Sequence, residues 1–515
     1  MKPSNELFDL ISTLTKSEKR FFKLQSSLQS GDKNYIRLFD LIEKMSAYDE
    51  DLVKKTFKGE KFINHLPSEK NHLYKLILKA LRGYYSETSI SSSLTQEIKN
   101  IEILYHKGLF DECSKFLERA KKIAVKYEMF YYLFELISWE KTLLEEAFEN
   151  GQFVNLDALI EEERQVLEKL QNLTAYHVLY SKINHVFRSG GYSRSEENAS
   201  IIDEIVNHPL IRGKNTALSN RAATICYYTQ GFCSIANGKP EAALEKYLRV
   251  KQILDGQPEL RSDLSKRYIR TLSQIAQCHL QLNQFDAADE SIALLEVLAG
   301  QDGFDTPDAE ERIFAEVALN KLKSYILSAR FTQGVQDLTP VAEELKLKEN
   351  KLQKEIALRL YYYMAYLHFG AGQHNKALHW LNRVNNDNEN DLRQDLYGYA
   401  RLFNIVIHYE LGNSDLLEYA IKSTTRFLQK RMRDFSAEKL ILDQFKKLIR
   451  AAGVAARREQ LIEFRSKLVH LLASEDSHVL IKYFDFGTWL DAKIEQTSFE
   501  LIAHQRIQEK QKSPA

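Results

Sequence analysis

The chain holds four thiols, Cys113, Cys226, Cys233 and Cys278. A structural zinc or a thiol–disulfide centre is signalled by pairs such as Cys-x-x-Cys, and none occurs. Cys226 and Cys233, seven residues apart, share one face of a helix and read as small apolar core residues. His368, His374 and His379 lie close in sequence. A turn separates the first from the last and no carboxylate pattern accompanies them, so a metal site is not expected. Gly231 to Lys239 has the outline of a phosphate loop, yet its glycines are too far apart and Pro240 stands where Ser or Thr would hold magnesium. Asp387 to Asp391 begins like a calcium loop, but Leu392 occupies the place of the turn glycine and Gly398 that of the bidentate Glu. Acid pairs such as Glu145 with Glu146, or Glu161 to Glu163, sit in helical stretches as solvated faces. His-Glu-x-x-His, Gly-x-Ser-x-Gly and Gly-x-Gly-x-x-Gly are all missing. No catalytic residue, metal or cofactor is therefore expected, and the chain reads as non-enzymatic.

What remains is architecture. The 515 residues carry 71 Lys plus Arg against 71 Asp plus Glu, a net charge of zero, which argues against a general nucleic-acid coat. Hydrophobic residues make up 44%, enough for a large core. Only 8 prolines and 20 glycines interrupt the chain, too few for a loop-rich β protein. No run of about 18 apolar residues spans a membrane, and residues 1–14 lack a secretory apolar stretch. A soluble, reducing, cytoplasmic setting is expected.

Apolar residues recur at helical spacing, as in Leu104, Phe116, Leu117, Ala120 and Ile123. The clearest unit, 227–250, places Tyr227, Gly231, Gly238, Ala243 and Tyr247 in order, with Pro240 at the start of the second helix. Ala276, Asn283, Phe285, Ala288 and Ile292 keep the same offsets, as do Ala365, Gly372, Ala377 and Leu381. Looser copies turn at Gly108, Gly151, Gly190, Ala329, Gly412 and Gly453. Three copies carry histidine four residues before the turn: His279, His368 and His408. These units resemble tetratricopeptide repeats. The resemblance covers about residues 95–470 and implies an all-α, right-handed α-solenoid of helical hairpins. From Gly108 to Gly412 the mean step is about 43 residues, against a family period of about 34. Longer helices or ordered connectors are therefore expected, and Pro209, Pro258 and Pro307 mark the connectors. The period also overlaps that of HEAT-type helical pairs, but the small residues at the crossing positions favour the tetratricopeptide pattern.

The domains expected are an N-terminal helical cap over 1–90, repeats over 91–470 and capping helices over 471–515. The first region reads as helices at 5–14, 17–29, 34–47 and 68–85. The last holds the aromatic run Tyr483-Phe484-Asp485-Phe486 with Trp489 and Leu490. In tetratricopeptide arrays the first helix of each pair lines the inner groove. That implies a partner surface of Tyr228, Phe232, Arg270, Gln277, Lys323, Arg359, Tyr362, Tyr366, Phe369, Tyr399 and Tyr409, suited to an extended peptide or a partner helix. The alternative for some of these rings is packing against the next helix. The function expected is a protein-binding scaffold. A second expectation is a transcriptional regulator, in which the basic helix near Lys70, His72, Lys75, Lys79 and Arg82 reads DNA and the array senses a peptide. Charge is also uneven: residues 421–470 carry 13 bases against 5 acids, and 140–170 carry 9 acids against 3 bases. Such opposed segments can steer a partner.

Overall fold

The structure, a computed structural model, describes residues 5–27, 34–86, 89–149, 156–190, 196–348, 352–387, 394–431, 436–472, 480 and 483–512. Among these residues the chain is all-α, with 27 α-helices, one 3-10 turn and no strand. No helix among them is long and apolar enough to cross a membrane. The contacts divide the chain into two compact units, Met1–Val166 and Leu167–Ala515. The division falls inside one helix, Leu156–Gly190.

In the first unit, Glu6–Thr13, Lys16–Ser27, Asn34–Glu43 and Leu66–Tyr84 lie where apolar spacing places helices. A short helix, Glu50–Thr56, and the 3-10 turn Lys61–His65 were not anticipated; Asp49 caps the former through Leu52 N–H at 3.0 Å. Leu7, Ile11, Phe22, Leu38, Phe39, Ile42, Leu73 and Ile77 form their common core. The pair Ile90–His106 and Phe110–Lys126 follows, then Phe130–Glu149.

The second unit continues as successive hairpins. Asn220–Ala236 pairs with Pro240–Asp255, and Ser265–Gln281 with Phe285–Val297. Pro307–Leu327 precedes the short Phe331–Asp337, Lys354–Gly370 pairs with His374–Asn385, and Gln394–Glu410 with Ser414–Arg431. Ser436–Arg450, Val454–Leu472, Phe486–Glu495 and Phe499–Lys512 complete it. Short helices Pro209–Arg212, Pro258–Asp263 and Thr339–Lys348 fill the connectors, which accounts for the long step between turns. Pro307 opens its helix directly behind Thr306, whose hydroxyl accepts from Ala309 N–H.

The turns fall where the pattern puts them. Gly108, Gly238, Asn283, Ala329, Gly372 and Gly412 all have φ between 54 and 73°, the left-handed conformation that ends a helix in a Schellman turn. In each, the residue after the turn donates its N–H to a carbonyl five residues back, as in Gln373 to His368 at 2.8 Å and Asn413 to His408 at 3.1 Å. Gly151 lies outside the described residues. Gly190 ends its helix, and 191–195 lie outside the described residues. Close approach explains Gly231: a methyl group there would stand 2.6 Å from the Tyr247 ring. Gly370 is tighter still, since a methyl would meet the Phe331 ring at 2.1 Å.

The recurrent histidine belongs to this turn chemistry. The His368 ring Nδ1 pairs with the Gln373 side-chain carbonyl at 3.1 Å, and His279 pairs with Gln284 at 2.7 Å. The His408 ring meets the Asn413 amide at 3.1 Å. Each histidine thus holds the same partner twice, once through its backbone carbonyl and once through its ring. Burial pushes the His368 pKa down. The folded chain then binds fewer protons there than the unfolded one. The neutral ring stabilises fully above the ordinary histidine pKa of about 6.5, and this is lost as pH falls through the lower folded value. His368→Ala is expected to cost about 1–2 kcal/mol at a pH of about 8. The deficit should shrink at a pH of about 5.5, as read from urea denaturation midpoints.

Candidate functional site

The second unit brings several of the anticipated residues together. Arg270, Ser273 and Gln277 form a row on Ser265–Gln281 at helical spacings of three and four. Glu316, Asn320 and Lys323 form the facing row on Pro307–Leu327. Ser273 donates to Glu316 at 2.6 Å and accepts from Asn320 at 2.8 Å and from Gln277 at 3.2 Å. Lys323 donates to the Gln277 carbonyl at 3.0 Å, and its ammonium stands 5.6 Å over the Tyr363 ring. Arg270 donates to the Tyr180 hydroxyl at 3.2 Å. Tyr180 in turn meets Tyr228 edge-on at 5.9 Å, and Tyr228 meets Phe232 at 5.2 Å. A polar ribbon thus runs across helices Leu156–Gly190, Ser265–Gln281, Pro307–Leu327 and Lys354–Gly370. Arg270, Gln277, Lys323 and Phe232 are half-buried on it, while Tyr228 is buried.

No protein-family model matches this chain, and no curated protein is similar to it in sequence. The chemistry of the ribbon must therefore be read from its own atoms. Asn320 and Ser273 are fully buried, and the Asn320 carbonyl oxygen has no hydrogen-bond partner among the described residues. The bonds that are made, from Ser273 to Glu316 and from the Asn320 amide to Ser273 and the Glu316 carbonyl, tie the two rows to one geometry. Its charged ends, Arg270 and Lys323, remain reachable and lie on neighbouring hairpins.

The other expected groove residues fall elsewhere. Tyr362, Tyr366, Phe369 and Tyr399 are buried, so they present no lining to a partner. The chain's own C-terminal segment covers them. Tyr362 donates to the Tyr483 carbonyl at 3.1 Å, and the Tyr366 hydroxyl accepts from Asp485 N–H at 3.2 Å. Tyr399 stacks on Tyr483 with centroids 4.1 Å apart, and Phe369 meets Phe484 edge-on at 5.3 Å. Tyr409 is half-buried between Phe445 and Trp489. Arg359 is half-buried on the same helix as Tyr362. Of the other expected residues, Phe232, Arg270, Gln277, Lys323 and Arg359 are half-buried and Tyr228 is buried.

Sequence reasoning missed Arg267, Tyr180, Ser273, Glu316 and Asn320. Arg267 sits three residues before Arg270, on the same face, and that spacing was the available signal. The cysteines are all buried, and burial raises the thiol pKa of Cys233 and Cys278 to about 12, as befits core packing. In the acidic stretch Lys121 bridges Glu140 and Glu162 at 2.5 and 2.9 Å, and Lys141 meets Glu163 at 2.5 Å. In the basic stretch Lys447 meets Glu463 and Arg465 meets Asp491, while Arg426 and Lys430 are exposed. Arg433 and the 388–391 acids lie outside the described residues. On Leu66–Tyr84, Lys70 is tied to Glu50 at 3.1 Å, and His72, Lys75, Lys79 and Arg82 are exposed.

Proposed function

We propose that the chain is a non-catalytic, tetratricopeptide-like scaffold that binds an extended peptide or partner helix along the first helices of its central hairpins. In this reading the hairpins coil right-handedly and are closed by helices at both ends. The observation that carries it is the row of reachable Arg270, Gln277 and Lys323, anchored on a buried polar network that crosses successive hairpins. Half-buried aromatic area at Phe232 and planar or cationic donors beside it are the groups that dominate recognition surfaces. Repeated helical pairs joined by Schellman turns, with small residues where helices cross, support the repeat reading.

The test is affinity capture from native lysate with R270E, K323E and the double variant. Each single change is expected to weaken recovery of the wild-type partner by about tenfold or more, a change of at least ~1.4 kcal/mol. Circular dichroism should be unchanged, because both side chains reach solvent. Capture that is identical in the double variant would reject this surface.

A further inference from the structure

Beside the ribbon lies a second feature that partner binding through Arg270 and Lys323 does not require. A cavity of about 260 Å³ is walled by Tyr180, Tyr228, Asp263, Lys266, Arg267 and Arg270. Arg267 directs one nitrogen to the Thr224 hydroxyl at 2.7 Å and to the Arg221 carbonyl at 3.4 Å. Arg270 donates to the Tyr180 hydroxyl. Every one of these acceptors is neutral.

The acids nearby are already engaged. Asp263 lies 2.5 Å from Arg221, and Asp308 takes Lys266 at 2.9 Å. Glu316 bears on Arg270 electrostatically, but it accepts from Ser273 and forms no ion pair with Arg270 among the described residues. Two guanidinium groups therefore face one small cavity without a carboxylate of their own. Burial draws the Arg267 pKa down to about 10, a sign of how far its charge is removed from water. A half-buried guanidinium held only by neutral groups is costly, and an oxyanion offsets that cost with charge-assisted bonds.

We propose that this cavity binds a phosphate monoester, gripped by the Arg267 and Arg270 guanidinium groups. The charge count favours phosphate over carboxylate. A monoester carries about −1.5 to −2 at neutral pH, which matches two cations, whereas one carboxylate leaves a cation unmatched. Planar guanidinium forks also fit the oxygens of a tetrahedral anion. The ester can come as a free small molecule or as a phosphorylated side chain on a peptide partner. In the second case the inference deepens the scaffold reading, because Arg270 serves both.

The test is isothermal titration of the full chain with O-phosphoserine, with an alanine pentapeptide carrying a central phosphoserine, and with glutamate. Saturable binding of a phosphate probe is expected, with glutamate at least about tenfold weaker. Tighter binding of the pentapeptide assigns the ester to a peptide partner, and tighter binding of O-phosphoserine assigns it to a small molecule. Either R267Q or R270Q should weaken the phosphate probe by about tenfold or more. Should R267Q fail to fold, R270K decides: it keeps the charge and loses the fork, and weaker binding is still expected. No saturable phosphate binding, equal binding in the folded variants, or glutamate bound as tightly would overturn the proposal. K323E separates the two readings, since it should lose partner capture and keep the phosphate probe.

Discussion

Trp489→Ala is expected to destabilise the second unit by about 3–5 kcal/mol. The indole is 1% exposed and lies on Phe486–Glu495. It stacks on Phe445 at 5.4 Å and meets Tyr409 edge-on at 5.6 Å, with Phe464 at 6.4 Å. Its Nε1–H donates to the Glu410 carboxylate at 2.7 Å. Removing it leaves a cavity among three rings that belong to three other helices, and none of them can close it alone. Trp489→Phe separates packing from the polar contact. It keeps most of the ring volume and loses the bond to Glu410, which retains Lys493 at 3.1 Å. A cost of about 1–3 kcal/mol is expected for that variant. Urea unfolding followed by circular dichroism checks both. Since the chain has two contact units, the step belonging to the second is the one to be compared. A loss below about 1 kcal/mol for the alanine variant would mean that the cluster is not packed as described.

How far these features were legible depends on the range of the interaction behind them. The turns at Gly238, Asn283, Ala329 and Gly372 could be read because a left-handed residue, a preceding helix and a small crossing residue are local signals. Even Ala329, an unfavourable residue for φ 54°, was found by its place in the period. The turn at Glu128 was not, because glutamate carries no such signal, although the same local bond, Met129 N–H to the Ala124 carbonyl at 2.8 Å, closes it at φ 52°. The histidine register was visible, but its meaning was not; the partner five residues on becomes obvious only when the turn folds both onto one side. Packing of Tyr362, Tyr366 and Tyr399 against a helix was an open alternative, but the segment that buries them was beyond reach for another reason. A repeat pattern says which helix face is apolar, and it is silent on a segment over 80 residues away that covers it. The polar ribbon shows the same limit. Arg270, Gln277 and Lys323 came from repeat position, while Ser273, Glu316 and Asn320, which hold them, lie between those positions.

A chain ending at residue 472 is expected to lose the fold of the 354–431 hairpins, and the reason bears on where a partner can bind. Tyr483, Phe484, Phe486, Trp489 and Leu490 are all buried. Each large apolar side chain contributes about 1.5–3 kcal/mol by burial, so five are worth roughly 7–15 kcal/mol before chain entropy. That is as large as the whole stability of an ordinary domain, about 5–15 kcal/mol. The contacts are also two-sided: Phe484 stacks on Phe403 at 4.7 Å, and Phe499 meets Phe331 at 5.5 Å. Loss of the segment would open Tyr362, Tyr366, Phe369, Tyr399 and Phe403 to water at once. A bound peptide of moderate affinity does not compete with a covalently attached segment of that apolar area, whose effective concentration is high. The aromatic face of Lys354–Gly370 and Gln394–Glu410 therefore belongs to the core, and under the proposed scaffold reading it is not available to a partner. The truncated chain should show reduced helicity and increased binding of a hydrophobic dye. A truncated chain that stayed fully helical, with an unchanged denaturation midpoint, would instead make the segment a removable occupant of an aromatic groove.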